Sequence, residues 1–421
     1  MAQAIALLDC NNFYASCERA FDRSLHKKPV VVLSNNDGCV IARSDEAKRM
    51  GVSMGSPLFK IVGFLEEMDT AVFSSNYELY GDMSFRVMEH LHQFTPEIEV
   101  YSIDEAFLGL EETTKSFDYL GREIKEKIYK WTHIPVSIGI AETKVLAKIA
   151  NRIAKKSDKA KGVLDLYKSP HTNRALDQIP VSDVWGIGRA SAAKLKAQEI
   201  HTARQLKDVD LRWARKALTV TGARIVTELR GIRALPLELN PPPKYSITCS
   251  RSFGDTIQQK QDLKEAIAYF LSTAAEKMRR HKLAANSITV FISTSRFGTD
   301  VEYYSNAATH SSAYPTDVNY ELQRWAFDCL NRVFKIGYSY KKAGIILGGL
   351  VPSDKLTTRM FDDERWQRFR NVMRAVDEIN RKFGRNTVRL CLAKPAGAWS
   401  GKAARLSQRY TTRFDEILCI K

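Results

Sequence analysis

The sequence predicts a multidomain protein of mixed α/β and α+β class, and three observations support this. A chain of 421 residues is too long for one compact core. Residues 1–168 alternate apolar strand-like runs with helical stretches, whereas residues 177–231 have a helical pattern throughout. After three prolines at 241–243, a β-α-β-β-α-β series predicts a four-stranded sheet with two helices on one face.

The first 168 residues contain short apolar runs that are typical of buried strands. A short helix is predicted at 45–50, where Gly51 ends it, and a longer amphipathic helix at 144–156. The predicted strands lie at 4–9, 30–33, 98–103 and 136–140. This alternation predicts an α/β unit, followed by an all-α unit that is rich in Lys and Arg.

The proline run at 240–243 predicts a semi-rigid linker and the clearest domain boundary. Asp262, with Glu265 three residues later, resembles a helix capping box. We expect residues 354–421 to form a basic, Arg-rich tail with partial order. Between linker and tail, strands are predicted at 246–253, 287–294, 303–309 and 343–351, and helices at 262–282 and 316–335.

The composition is that of a soluble globular protein, with 44% apolar and 27% charged residues. No apolar run approaches the length of a membrane span, and no basic leader precedes an apolar segment, so a cytoplasmic location is expected. Seven cysteines without a Cys-x-x-Cys pair predict neither a disulfide framework nor a zinc ribbon.

The positive charge is unevenly distributed along the chain. Residues 1–168 carry 22 basic and 24 acidic side chains, whereas the remaining residues carry 42 and 24. A near-neutral half with acidic clusters, joined to a basic half, indicates chemistry in the first and polyanion binding in the second. The alternative is a generally basic solvated surface.

Two strand-like runs end in acidic residues, the first at Asp9 and the second at Asp104 and Glu105. A buried strand that ends in an unpaired carboxylate is costly unless the charge is paired or binds a cation, and carboxylate oxygens favour Mg²⁺. The sequence therefore predicts a split metal site. Alternatively, Asp9 lies in a turn and Asp104 and Glu105 in a solvated loop. Strand geometry directs the neighbouring side chains of Asp104 and Glu105 to opposite faces unless the strand turns there, so both are not expected to bind equally, and Asp104 is the preferred ligand.

Trp185-Gly186-Ile187-Gly188-Arg189 precedes a predicted helix. Such a hairpin directs free backbone N–H groups outward at the positive end of a helix dipole, where a DNA phosphate would fit. Such a contact binds the sugar-phosphate backbone of DNA without recognising the bases. Surrounding basic residues, among them Arg189 and Lys194, favour DNA binding over an ordinary inter-helix turn.

Several basic residues in the near-neutral half could face a phosphate-bearing ligand. Lys144, Lys148 and Lys155 recur on one side of a predicted helix, and Arg43 and Lys48 flank the short helix at 45–50. These basic side chains would balance the negative charge of a triphosphate that is bound beside metal ions. A solvated helix face is the alternative for the lysines.

These residues occur in motifs that resemble the Y-family translesion DNA polymerases, and more closely those of the bacterial polymerase V type. The match is colinear and runs essentially from end to end. The motifs are DCNNFYASCE (9–18), KPVVV (28–32), LSNNDGCVIAR (33–43), EAK (46–48), SSNYELY (74–80), SIDEA (102–106), VWGIGR (184–189), CSRSFG (249–254) and RYTTR (409–413).

The resemblance implies a right-hand polymerase that performs error-prone translesion synthesis in the SOS response. Its implied parts are a palm at 1–26 and 77–168, fingers at 27–76, a helical thumb at 169–239 and a little finger at 244–353. It also implies a bacterial cytoplasmic protein that associates with the nucleoid when active. Primer-template DNA and dNTPs are the implied substrates, and a UmuD′ dimer and RecA the implied partners.

The resemblance also implies a role for individual residues. Two Mg²⁺ ions would be held by Asp9, Asp104 and Glu105, with the backbone carbonyl of Cys10 assisting. Tyr14 would be the steric gate that excludes the 2′-hydroxyl of a ribonucleotide. The implied triphosphate contacts are Phe13, Arg43, Lys48 and Lys155, and the implied DNA contacts are Gly186, Gly188, Arg189, Lys194 and Arg251.

Two departures from the family pattern affect these expectations. Asp45 stands where many relatives have tyrosine, and an acid is a poor triphosphate ligand, so Arg43 is expected to replace that contact. Of the sliding-clamp motif, only the apolar pair Met360 and Phe361 is present. A metal-dependent nuclease and a non-enzymatic DNA-binding repair accessory are the alternative functions, because both would also use acidic clusters or a DNA-gripping hairpin.

Overall fold

The computed structural model describes residues 4–111, 114–296, 302–355, 364–384, 387–389 and 402–418. The chain divides into two compact units, one formed by residues 1–241 with 403–421 and the other by residues 242–402. The division falls within the proline run. The segment that we expected to be a single tail, 354–421, is divided between the two units.

The first unit is built around a five-stranded sheet with the order β5-β6-β1-β7-β8. A smaller sheet has the order β3-β2-β4. The strands are β1 (Ala4–Cys10), β2 (Val30–Leu33), β3 (Val40–Arg43), β4 (Ala71–Ser74), β5 (Ile98–Val100), β6 (Glu105–Leu110), β7 (Val136–Ala141) and β8 (Val163–Asp165).

Ten helices are described in the first unit. They are α1 (Phe13–Phe21), α2 (Asp45–Arg49), α3 (Leu58–Glu67), α4 (Tyr77–Leu91), α5 (Phe117–Thr132), α6 (Lys144–Lys156), α7 (Thr172–Asp177), α8 (Arg189–Lys196), α9 (Ala203–Asp208) and α10 (Leu211–Leu229). The last three lie within 177–231, the region for which the sequence predicts a helical unit.

The central strand β1 pairs antiparallel with β6 on one side and β7 on the other. The β1–β6 register places Asp9 directly opposite Glu105. Every residue of β1 is buried except Asp9, which is half-buried. The strand thus ends in a carboxylate at the edge of the apolar core, as the sequence predicts.

Helix α6 lies unusually close to the central sheet because Gly139 has no side chain. A Cβ atom at Gly139 would lie 2.0 Å from the backbone nitrogen of Asn151 and 2.4 Å from the carbonyl oxygen of Ala147. The Asn151 side-chain amide donates hydrogen bonds to the carbonyls of Ser137 (2.7 Å) and Leu7 (3.3 Å). These contacts fix α6 against both β1 and β7.

The second unit contains the predicted four-stranded antiparallel sheet, with the order β11-β10-β12-β9. Helices α11 and α12 bury apolar residues in one core with the sheet. The elements are β9 (Ser246–Ile257), α11 (Lys260–Arg280), β10 (Leu283–Thr294), β11 (Ser305–Thr316), α12 (Asn319–Val333), β12 (Tyr340–Pro352) and α13 (Glu364–Phe383).

Two local expectations for this unit were wrong. Helix α11 begins at Lys260 after Gln259, so Asp262 and Glu265 lie inside the helix and form no capping box. The tail contains α13, a helix of 20 residues, where only short periodic segments were expected. Among the residues described, no helix combines the length and apolarity needed to cross a membrane.

The Gly139 contact gives a test of the fold. We expect Gly139→Ala to lower the free energy of unfolding by about 2–3 kcal/mol, because the methyl group would push α6 away from β7. Gly63→Ala is the matched control, since Gly63 lies in α3 with open space around its Cβ position. Urea denaturation measures both, and an unchanged midpoint for Gly139→Ala would contradict the close contact.

Candidate active site

A tight turn before β6 brings the predicted acidic residues together. The Cys10 N–H donates to the carbonyl of Asp104 (2.8 Å). The Ser102 hydroxyl donates to Asp104 Oδ1 (2.6 Å) and accepts the backbone N–H of Glu105 (3.1 Å). Because Asp104 precedes β6, strand alternation does not fix its direction. The geometric objection to Asp104 and Glu105 acting at one site therefore does not apply.

Two lysines of α6 pair with the acids at the strand ends. Lys155 Nζ lies 2.5 Å from Asp9 Oδ1, and Lys148 Nζ lies 2.8 Å from Glu105 Oε2. Lys148 Nζ also lies 4.6 Å from the ring centroid of Tyr101. The two lysines are seven positions apart, which places them on one helix face, as their spacing predicts.

A cavity of about 430 Å³ contains most of the predicted nucleotide-site residues. This volume lies within the usual range for small-molecule sites. Glu105 lines an adjoining cavity of about 330 Å³, and Asp9 and Lys155 line both. The larger cavity is lined by Asp9, Cys10, Asn12, Phe13, Tyr14, Ile41, Ala42, Arg43, Lys48, Met54, Ile103, Asp104 and Lys155.

The acidic side chains share a partly desolvated environment. Burial raises the pKa of Asp9 to about 7, an effect that Lys155 opposes and the nearby charge of Glu105 reinforces. Burial also raises the pKa of the Cys10 thiol, and the charges of Asp9, Asp104 and Glu105 raise it further. All three carboxylates therefore raise the pKa of the same thiol, so their charges lie close together.

This donor set fits a hard divalent cation, because oxygen ligands and converging negative charge are what such ions require. In the structure the compensating positive charge comes from Lys155 and Lys148. Within the described part of the chain, no group of three or more His, Cys, Asp or Glu side chains is arranged as a ready-made metal site.

Tyr14 lies in the wall of the larger cavity on α1. Its ring stacks on Tyr80 with a centroid distance of 4.5 Å and an interplanar angle of 15°. Tyr77 meets it edge-on at 6.0 Å. The neighbouring Phe13 is 3% exposed and belongs to the apolar core. Tyr14 thus presents a supported ring to the cavity, while Phe13 is mainly a packing residue.

Lys48 and Arg43 reach the cavity from the smaller sheet and α2. Lys48 Nζ donates to Asp45 Oδ1 (2.9 Å) and to Asn12 Oδ1 (2.5 Å). Arg43 donates to the carbonyl of Val52. Asp45 therefore acts on Lys48, which gives a physical reason for an acid at this position.

The glycine hairpin immediately precedes a helix, as the sequence predicts. Gly186 has a φ of +87°, and a Cβ there would lie 2.6 Å from Ile225 Cδ1. Gly188 immediately precedes α8, and Arg189 and Lys194 are exposed.

The remaining predicted contacts are not part of the elements described above. Arg251 lies on β9 in the second unit, with its guanidinium 5.7 Å from the ring of Tyr269. Met360 and Phe361 lie outside the described residues.

Sequence reasoning missed four contributors: Asn12, Glu18, Tyr80 and the pairing of Lys148 with Glu105. Tyr80 falls in the motif at 74–80, but no role followed from the sequence. Its hydroxyl donates to Glu18 Oε1 (2.5 Å), 62 positions earlier in the chain. Contacts over such separations carry no local pattern, so the sequence alone could not reveal them.

Comparisons with known proteins extend this description. The impB/mucB/samB family model matches residues 8–152, and the model of its C-terminal domain matches residues 244–360. A model of a domain of unknown function, DUF4113, matches residues 370–420.

Several relatives match almost the whole chain. It is 41% identical to protein UmuC of Salmonella typhimurium, over 99% of this chain and all of that one. It is 40% identical to protein ImpB of the same organism, over 98% of each chain. DNA polymerase IV 1 of Bacillus subtilis is 28% identical over 68% of this chain and 69% of its own.

The fold is also similar to that of a solved Y-family DNA polymerase chimera of Dbh and Dpo4. The TM-score is 0.68 at 21% identity, with 83% of this chain and 99% of that chain covered. Together with the full-length relatives, this likeness confirms the fold class predicted from the sequence. The chain belongs to the impB/mucB/samB family and is a UmuC-like Y-family DNA polymerase.

Proposed function

We propose that the chain performs template-directed translesion DNA synthesis by two-metal nucleotidyl transfer from a dNTP to a primer 3′-hydroxyl. The observation that carries this proposal is the larger cavity, which is lined by Asp9 and Asp104 together with Lys155, Lys48 and Tyr14. Carboxylates and cationic side chains around one cavity suit a metal-bound triphosphate. The supported ring of Tyr14 suits contact with its sugar.

Asp9 and Asp104 are the proposed principal ligands of two Mg²⁺ ions, with Glu105 and the backbone carbonyl of Cys10 completing the set. When bound, the ions would lower the pKa of the 3′-hydroxyl and neutralise charge on the triphosphate and the leaving pyrophosphate. Glu105 is the more peripheral ligand, because Lys148 already pairs with it and it lines the adjoining cavity.

The basic residues around the cavity are proposed to bind the triphosphate. Lys155 balances Asp9 in the structure, and a cation on that carboxylate would free its ammonium group for a phosphate oxygen. Lys48 and Arg43 would contact the phosphates from the other side, with Asp45 and Asn12 orienting Lys48. Phe13 would support this end of the cavity through its backbone and packing.

The hairpin at Gly186 and Gly188 is the proposed non-specific DNA contact of a thumb at 169–239. Palm (1–26 and 77–168), fingers (27–76) and little finger (244–353) are proposed for the other segments, with Arg251 as a DNA contact of the last.

The physiological setting also belongs to this proposal. It includes the SOS response, a UmuD′ dimer and RecA as partners, a cytoplasmic location with nucleoid association, and a sliding-clamp contact through Met360 and Phe361. The nuclease and accessory-protein alternatives are not favoured, because the chain is a Y-family polymerase by its full-length relatives and its fold.

Removing either principal carboxylate should abolish synthesis. We expect Asp9→Asn and Asp104→Asn each to reduce single-nucleotide incorporation by about a thousandfold or more, since both leave the metal site short of a charged ligand. Primer extension with dNTPs and Mg²⁺ measures this, with Asp158→Asn as an exposed control. DNA affinity, measured by fluorescence anisotropy, should be unchanged. Degradation of DNA by the wild type without dNTPs, or full incorporation by the variants, would contradict the proposal.

Shortening Tyr14 should weaken sugar discrimination. We expect Tyr14→Ala to raise the relative efficiency of ribonucleotide incorporation by about tenfold or more, because the ring no longer occupies the space of a 2′-hydroxyl. Competing dNTP and rNTP incorporation on one template measures the ratio. Tyr119→Ala, an exposed tyrosine of α5, is the control, and equal ratios for both variants would remove the gate role.

Removal of the basic side chains beside the hairpin should weaken DNA binding without changing its sequence preference. We expect Arg189→Ala combined with Lys194→Ala to lower the slope of log affinity against log salt by about 2, roughly one for each phosphate that is no longer neutralised. Anisotropy titrations over a range of NaCl concentrations give the slope. Lys60→Ala with Arg49→Ala serves as the charge-matched control, and the same slope in both double variants would refute the hairpin contact.

A further inference from the structure

The C-terminal segment 403–418 packs on the first unit beside the elements that carry Tyr14. It contacts the end of β4, where the Ser74 N–H donates to the carbonyl of Arg405 (2.9 Å) and the Arg405 N–H donates to Ser74 Oγ (3.0 Å). Farther along, the Tyr410 ring stacks on Phe21 at 4.8 Å. The segment is therefore held against the first unit at both Arg405 and Tyr410.

Asn76 connects the middle of the segment to the start of α4. Its side-chain amide donates to Ser407 Oγ (2.9 Å) and to the carbonyls of Ser407 and Gln408 (3.2 Å each). The amide oxygen of Asn76 accepts the N–H of Leu79 (3.2 Å) and so caps α4. Asn76 is 2% exposed, so these bonds form away from water.

Ser407 also connects the segment to buried residues of the first unit. Its hydroxyl donates to Glu18 Oε1 (3.0 Å), which also accepts the Tyr80 hydroxyl (2.5 Å). Glu18 is 2% exposed and Tyr80 fully buried. Since Tyr80 is the residue on which Tyr14 stacks, a continuous series of contacts joins the C-terminal segment to the cavity wall.

The Glu18 carboxyl depends on these two donors. Burial raises its pKa to about 7, and the hydrogen bonds from Tyr80 and Ser407 oppose that shift. A buried carboxyl oxygen that loses a donor is left poorly satisfied, and its remaining partner must readjust. That partner is Tyr80, so a change at Ser407 would alter the support beneath the Tyr14 ring.

We propose that the C-terminal segment 403–418 takes part in sugar selection, with Ser407 as a positioning residue that acts on Tyr14 through Glu18 and Tyr80. This inference rests on the proposed role of Tyr14 as the steric gate. It gives a role to part of the segment matched by the DUF4113 family model. Within the segment, the Arg409 N–H donates to Glu416 Oε2 (2.5 Å), which closes the turn that follows Ser407.

The test is the ratio of dNTP to rNTP incorporation efficiency in the full-length protein. Ser407→Ala removes the hydroxyl that donates to Glu18 and accepts from Asn76. We expect it to lower this ratio about threefold to tenfold, while dNTP efficiency changes less than about twofold. Ser407→Thr keeps the hydroxyl and should restore the ratio. Phe414→Ala alters a residue of the same segment whose side chain is 95% exposed, and it should leave the ratio unchanged.

A double-mutant cycle distinguishes positioning from general loosening of the fold. Tyr80→Phe removes the hydroxyl but keeps the stacked ring, so it should also lower the ratio. If both residues act through Glu18, the double variant Ser407→Ala, Tyr80→Phe should lower the ratio of dNTP to rNTP incorporation no further than the single variant with the larger effect. Fully additive effects would contradict the proposed series of contacts.

The outcomes separate this inference from the proposed function. Failure of the wild type to incorporate dNTPs, or an unchanged ratio for Tyr14→Ala, would overturn the gate role and the inference with it. If the gate role holds but Ser407→Ala gives the same ratio as Phe414→Ala, only the inference fails. A lowered ratio for Ser407→Ala, restored by Ser407→Thr, supports it.

Discussion

The close packing of α6 against β1 and β7 is the constraint on which the candidate active site depends. Gly139 leaves no side chain between strand and helix, and the Asn151 amide bonds to carbonyls of both strands. This packing places two lysines of α6 over the strand ends that carry Asp9 and Glu105. The β1–β6 register then sets those acids opposite each other. Sheet geometry and helix spacing together thus create the charge balance that a metal-bound nucleotide would exploit.

Two carboxyl groups of the first unit, those of Asp9 and Glu18, have different partners, and these partners suit them to different roles. Burial raises the pKa of both Asp9 and Glu18 to about 7. Asp9 has a lysine partner and opens onto a cavity, so a cation can replace the ammonium group. Glu18 is held by the hydroxyls of Tyr80 and Ser407, which suit a fixed structural link. The first arrangement favours ligand exchange and the second favours rigidity.

Much of this site could be predicted from local sequence, because acidic strand ends, a lysine stripe and a glycine hairpin each have short-range patterns. Predicted strands and helices matched where apolar periodicity was strong, as in α6. The Asp262 capping box was wrong because helix α11 starts two residues earlier than its apolar face suggested. The support of Tyr14 by Tyr80 and Glu18, and the contact with Ser407, join residues far apart in the chain, for which periodicity gives no signal.

The central claim is that Asp9 and Asp104 hold the catalytic cations while Lys155 moves to the nucleotide. The most direct measurement is the anomalous scattering of Mn²⁺ in crystals grown with primer-template DNA and a non-hydrolysable dNTP. We predict manganese peaks about 2.1 Å from carboxylate oxygens of Asp9 and Asp104, with Lys155 Nζ bonded to a phosphate oxygen. Manganese bound elsewhere, or Lys155 still paired with Asp9 in that complex, would contradict the claim.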